Sequence, residues 1–354
     1  MPVRFKKYIW WIGLGSLAVV FRALLPPEFI ETYYSRGIFL VIRSLFDFLG
    51  GIFPFSLFYI VMPLLIGALF YQWVIIFMRS QTFPKKLIHW SLNLFAWLGG
   101  LTFFFLFLWG YNYGRVPTEQ QLNFEDREII LGDLIRWVKK DAEKLALMRT
   151  ELGSNHIPVE NQTGIIRKNL QTVLQKNGYP ASSLVNCFPI QPNGILLRFS
   201  TSGVYIPFDG QGHIDNGLHP IQKPFVTAHE MAHAYGFTGE GICNFWAYIS
   251  CYQSEDPFIR YSGAMGLWRY MASAWRFADP EGYLAFREDL PEVLTKDLDQ
   301  INASILAYPD IMPALRDAVY DSFLKVQGME DGLSNYDKII PMVISWREKN
   351  GLLD

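Results

Sequence analysis

Long apolar runs fill the first third of the chain and are absent from the rest. Three of them reach the roughly 20 residues that a helix needs to cross a bilayer: Tyr8–Leu25, Pro54–Met78 and His89–Tyr111. The second and third contain no Asp, Glu, Lys or Arg, and the first holds only Arg22, near its end, where a long side chain can reach the interface. Trp10, Trp11, Trp73, Trp90 and Trp109 sit near the ends of these runs, as interfacial aromatics do. No small-x-small cleavage site precedes Pro26-Pro27, so the first run reads as a retained anchor rather than a signal peptide. Gly37–Phe53 is apolar too, but Arg43 and Asp47 within it suit an interfacial or re-entrant helix better than a span.

Beyond Tyr113 the pattern becomes that of a water-soluble domain. Residues 116–126 read as a linker. Leu131, Leu134, Ile135, Val138, Ala142 and Leu145 are spaced for one buried helical stripe within Glu128–Leu152. A second helix fits Thr163–Lys176, closed by Asn177-Gly178-Tyr179-Pro180. The period then changes: Gly194–Phe208 reads as strands, ending at Pro207 before Asp209-Gly210-Gln211-Gly212, and Pro207 suggests a sheet edge. From Pro224 onward helices are expected over 224–236, 240–253, 258–277, 281–303, 309–326 and 335–349. The expected fold class is therefore α+β: N-terminal transmembrane helices over residues 1–113, then a mostly helical domain over 114–354 with a small sheet just before the 224–236 helix.

Charge sharpens this division. Only 18% of residues are charged, against about a quarter in ordinary soluble domains. Residues 1–113 hold nine Lys/Arg and three acids, a net of +6, so residues 114–354 carry −8 of the chain's −2 total. An acidic soluble domain with no basic cluster argues against a nucleic-acid partner. Arg4, Lys6 and Lys7 place the N-terminus in the cytoplasm, and Arg79, Lys85 and Lys86 place the second connection there as well. Three crossings then leave the C-terminal domain outside the cytoplasm. The three cysteines form no Cys-x-x-Cys pair, which excludes a cysteine zinc ribbon. Cys243 and Cys251 are about 12 Å apart along one expected helix, too far to bridge. Buried free thiols, or a bridge from Cys187 to one of them, remain.

The chemistry lies in the 224–236 helix. His229 and His233 are spaced i, i+4, so both imidazoles project from one face, as two zinc ligands do. Glu230 is rotated about 100° from His229 and can act as general base toward a water at the metal without ligating it. Catalytic zinc needs a third protein ligand and an open position. Gly236 and Gly239 can turn the chain so that Glu240 opens a new helix, with Asn244 on the same face. That pair suggests a ligand and a neighbour that orients a histidine through its second ring nitrogen. Glu255, Asp256 and Asp279 are alternative third ligands, and Glu240 could instead be only a helix-start acid. Tyr261, His219, Tyr205 and Arg260 are candidate donors to an oxyanion, with Tyr261 preferred. Ser202–Phe208, including Ser202 and Tyr205, could pair with an extended peptide substrate or only complete the sheet.

The run Tyr205-Ile-Pro-Phe208, His229-Glu230-x-x-His233, Gly236-Phe237, Glu240-x-x-x-Asn244-Phe245-x-Ala247-Tyr248 and Tyr261-Ser262-Gly263 resembles a family of uncharacterised bacterial membrane proteins. Those have three N-terminal spans and a gluzincin-like zinc metallopeptidase domain. The similarity covers most of the chain and is strongest over residues 203–263. More distantly, the Glu-x-x-x-Asn helix is similar to that of the prenyl-protease class, in which the Glu is the third zinc ligand; the resemblance carries that role onto Glu240. This chain departs from the family in having Ile242 and Cys243 where an extra acid and a small residue are usual.

The expected protein is thus a peptidase of the bacterial cytoplasmic membrane, in contact with membrane lipid, that holds Zn2+ and cuts a peptide or protein substrate outside the cytoplasm. The alternative from another class is a non-catalytic, membrane-tethered interaction module with a structural zinc. The motif helix is short and flanked by Lys223, Pro224, Tyr235 and Thr238, which argues against cleavage within the membrane. Three spans without paired buried charges argue against a transporter.

Overall fold

The computed structural model describes residues 3–79, 82–124, 128–153, 162–311, 313 and 338–352. The chain forms two compact units, one of Met1–Val116 with Ile206–Gln211 and one of Pro117–Tyr205 with Gly212–Asp354. The first ends close to the expected boundary, but its added segment, 206–211, was not foreseen.

In the first unit three helices are long and apolar enough to cross a membrane: Lys6–Leu24, Phe58–Met78 and Phe83–Leu108. Their surfaces are apolar and mostly uncovered by protein, with Leu64, Ile66 and Phe70 each more than 60% exposed. Such surfaces are stable in lipid rather than in water. Gly15 and Gly99 bring the first and third helices together, since a Cβ on either would meet the other helix's backbone. Gly37–Phe53 is largely covered by a π-helix, Ile30–Ile38, followed by an α-helix, Phe39–Ile52. Its charges are paired and buried: Arg43, 2% exposed, bonds Asp47 at 3.2 Å and donates to the carbonyl of Gly210. Glu31 likewise accepts from Arg115 at 2.8 and 2.9 Å and from Arg36 at 2.7 Å.

The second unit is built mainly of helices. Leu131–Leu152 buries Leu134, Trp137, Val138, Ala142 and Leu145, close to the expected stripe. It starts at Leu131 rather than Glu128, and Thr118–Gln121 forms a short helix inside the expected linker. The Gln162–Lys176, Lys223–Ala234, Glu240–Tyr252 and Pro257–Ala278 helices fall within one or two residues of expectation. The expected helix 281–303 is two, Pro280–Glu288 and Glu292–Leu306. Pro291 lacks an N–H and restricts Leu290, so the chain breaks there. The last helix is Ile339–Lys349, and the expected 309–326 helix falls almost wholly outside the described residues.

The sheet departs most from expectation. It has strands β1 (Cys187–Ile190), β2 (Gly203–Ile206) and β3 (Gln211–Asp215) in the order β1-β3-β2, with β1 and β3 parallel. Gly194–Phe199, expected as strand, is turn and 3-10 helix instead. The reason is Asp215: its buried carboxylate accepts from the backbone N–H of Gly194 (2.7 Å), Leu196 (2.7 Å), Leu197 (3.1 Å) and Gly217 (2.7 Å). Those donors cannot also serve a strand ladder. Gln211-Gly212, expected as turn, opens the fully buried β3, and the turn occupies 207–210. All three cysteines are buried free thiols.

Asp215→Ala leaves four backbone donors without their acceptor, each costing about 1–3 kcal/mol if it stays buried. The expected outcome is a loss of at least about 3 kcal/mol, read as a lowered melting temperature of the full chain in detergent. A variant that melts with wild type would remove Asp215 from this role.

Candidate metal centre

His229, Glu230 and His233 lie on the Lys223–Ala234 helix, which has Pro224 in its first turn, where a missing N–H costs nothing. The helix ends at Gly236, whose φ of +88° reverses the chain, and Phe237 N–H closes the end on the Ala232 carbonyl at 3.2 Å. This turn delivers the Phe237 carbonyl to Nδ1 of His233 at 2.9 Å. Extended backbone at Gly239 then starts the Glu240–Tyr252 helix, so Glu240 is its first residue and Asn244 stands one turn on. Asn244 Oδ1 lies 2.8 Å from Nδ1 of His229.

With both Nδ1–H groups donated to oxygens, both Nε2 atoms are left as lone-pair donors facing the same point. They lie 3.1 Å apart, and Oε2 of Glu240 is 3.1 Å from that of His229 and 3.6 Å from that of His233. Ligands about 2.05 Å from a tetrahedral ion stand ~3.3 Å from one another, so the three atoms fit one metal ion as they are. They form the one cluster of three such side chains found among the described residues. The alternative ligands are committed elsewhere. Asp256 caps the Pro257–Ala278 helix through Phe258 and Ile259 N–H, Asp279 caps the next through Gly282 N–H, and Glu255 is exposed.

All the participants are buried: His229 8%, Glu230 4%, His233 6%, Glu240 6% and Asn244 1% exposed. Against the desolvation cost of burial, the neighbouring histidines hold the Glu240 carboxyl well below its ordinary pKa. His233 is raised well above its ordinary value, because Cys243 and Glu240 outweigh burial. The two shifts are opposite in sign, as the proximity of the Glu240 carboxylate to the histidine rings requires. Glu230 is shifted upward, chiefly by burial and also by Glu240, while His229, His233 and His213 oppose the shift. Its Oε2 has no hydrogen-bond partner among the described residues.

Two features near Glu230 were not anticipated. A Cβ at Gly203 would lie 2.5 Å from Glu230 Oε1, and one at Gly212 would lie 2.8 Å from Glu230 Cβ. β2 and β3 therefore pack directly on the general-base candidate, and only glycine fits at these two positions. His213, fully buried on β3, adds a favourable charge interaction. Both residues of β3 lay in or beside a stretch read as turn, and no local spacing marks them. Cys243 also joins the site, with Sγ 3.3 Å from Nδ1 of His233.

The oxyanion candidates are not gathered into one group. Tyr261 is buried and donates its hydroxyl to Asp297 at 2.7 Å, which also takes Arg149. His219 feels the same Asp297 and a hydrogen bond with Gln300. Arg260 donates to the carbonyls of Ser254 and Glu255. Tyr205 is buried on β2, an edge of the sheet, and the Ser202 carbonyl accepts from Asp215 N–H at 2.8 Å.

Because a proton on His233 must leave for a metal to bind, metal affinity should fall with pH. The raised His233 pKa means that a proton competes with the metal at this ring, so affinity in chelator competition is expected to fall as the pH is lowered from 8 to 6. Asn244→Leu should weaken binding a further 10–100-fold, roughly, by freeing the His229 ring. Affinity flat across that pH range would show that no proton competes with the metal at His233.

A family model described as a protein of unknown function, DUF3810, matches residues 34–344. No curated protein and no solved structure matches the chain.

Proposed function

The chain belongs to the DUF3810 family, and we propose that it is a membrane-anchored zinc metallopeptidase acting outside the cytoplasm. One observation carries the reading: two Nε2 atoms and one carboxylate oxygen converge at tetrahedral spacing, with a fourth side chain, Glu230, beside them and outside the ligand set. His229, His233 and Glu240 would hold the ion, and nitrogen and carboxylate donors of this kind suit zinc. A zinc ion held there supplies Lewis acidity, polarising a carbonyl and making a water acidic near neutral pH.

The chain's own residues do the rest. Asn244 and the Phe237 carbonyl fix the imidazole tautomers and orientations. Glu230 takes the proton that the attacking water loses and passes it to the amine as the C–N bond breaks, so one water is consumed per bond cut. Its upward-shifted pKa suits both halves of that transfer. The edge strand β2 offers backbone to an extended peptide. The basic residues beside the first and second spans support an extracytoplasmic domain.

The burial of all four residues favours a second reading, a structural zinc in a non-catalytic tethered module. Metal analysis with a peptide-library assay separates the two. Wild type and Glu230→Gln should each hold one zinc per chain, and His233→Ala none. Hydrolysis should fall by about a thousandfold or more in Glu230→Gln, the scale of losing a positioned general base. Metal-free wild type would sink both readings. Metal without hydrolysis in wild type would leave the structural one.

Gly203→Ala provides a separate check on the strand packing. It should keep zinc yet lose at least about tenfold in rate, since the added methyl displaces the Glu230 carboxylate. Unchanged turnover would show that β2 yields without disturbing the base.

A further inference from the structure

Away from the candidate metal centre, the helices Leu131–Leu152, Glu240–Tyr252, Pro257–Ala278 and Ile339–Lys349, with Gly351 and Leu352, line an open pocket of about 580 Å³. That is within the ~300–1,000 Å³ range of small-molecule sites. Tyr248 in its wall is eight residues beyond Glu240 on the same helix, about 12 Å along the axis. The charges lining it are unequal: Lys144, Arg260 and Arg347 face a single acid, Asp141.

That acid is already taken. Asp141 Oδ2 accepts from Arg347 Nη2 at 2.8 Å, and Oδ1 lies 4.0 Å from Lys144 Nζ. Arg347 Nη2 donates also to the Tyr248 hydroxyl at 3.0 Å, and Arg260 spends Nη1 on the Ser254 and Glu255 carbonyls. The Nε and Nη1 groups of Arg347 and the Nε and Nη2 groups of Arg260 have no acceptor among the described residues. The Arg347 side chain is 12% exposed, so its remaining donors lie at the cavity surface. A cavity whose described lining carries three cations against one engaged carboxylate selects a ligand that brings acceptors and negative charge. Planar guanidinium forks fit a planar carboxylate. The rest of the wall is apolar, with Leu145, Met148 and the ring of Tyr252. The ligand therefore carries an apolar group next to its charge.

We propose that this cavity binds the free C-terminal carboxylate of a peptide ending in a large apolar residue, between Arg260, Arg347 and Lys144. The site is distinct from the metal centre and does not depend on the metal's identity. Ala264 lines the same cavity, and a bulky side chain there would fill it. Lys144 is 52% exposed, so its replacement leaves packing intact.

Calorimetry on the full chain in zwitterionic nanodiscs tests this with three probes: N-acetyl-phenylalanine, its amide, and inorganic phosphate. The acid should bind with a submillimolar Kd, and the amide and phosphate at least about tenfold more weakly. Lys144→Gln and Ala264→Phe should each weaken the acid at least about tenfold while metal content stays at the wild-type level. Metal content shows that the variants are folded. Equal binding of acid and amide would overturn the proposal. So would phosphate binding as tightly as the acid, which marks a bare anion site, or affinities that neither substitution changes. No binding of the acid below about 10 mM would overturn it as well.

Discussion

The geometry of the candidate metal centre rests on two hydrogen bonds to Nδ1 atoms. A neutral imidazole with Nδ1–H donated presents its Nε2 lone pair in one direction, and here Asn244 and the Phe237 carbonyl set that direction for both rings. The second of these exists only because Gly236 reverses the chain at a positive φ. The first exists because the Glu240 helix begins where it does, one turn before Asn244. Removing either bond frees a ring to rotate. The convergence of three donor atoms at 3.1–3.6 Å would then be lost without any ligand being changed.

Burial makes this arrangement electrically demanding. A carboxylate and two imidazoles, each under a tenth exposed, favour a compensating cation, and the pKa of His233 is raised accordingly. A proton and a metal ion would compete for the same lone pair. Glu230 is kept apart from this exchange by its rotation on the helix and by the strands against which it packs. Gly203 and Gly212 permit that packing because neither carries a Cβ that would strike the carboxylate stem.

The same logic of paired and unpaired charge runs through the rest of the chain. In the first unit, buried Arg43 and Glu31 are fully engaged, and their bonds explain why charged residues are tolerated in an apolar segment. Asp215 is engaged by four backbone donors and shapes the turn before β2. The cavity beside Tyr248 is the exception, since its arginines retain donors that no described residue meets.

What could be read from the chain alone was whatever is written at short spacing. The three apolar runs, the i, i+4 histidines, the two turning glycines and the Glu240–Asn244 step are all encoded within a few residues, because a helix repeats every 3.6 residues and a span is simply a long apolar run. Several helix boundaries followed for the same reason. The third apolar helix, however, starts at Phe83 and not His89, the Leu131 helix starts three residues late, and Pro291 breaks a helix where the apolar pattern continued. The sheet was misplaced because Ile195-Leu196-Leu197 resembles a strand locally, whereas the N–H groups of Leu196 and Leu197 answer to Asp215 some twenty residues on. The setting of Glu230 among Gly203, Gly212 and His213 and the commitment of Tyr261 to Asp297 are likewise contacts between distant positions. The surplus of donors around Tyr248 belongs with them. Such contacts follow from how helices and strands pack, and no spacing along the chain records them.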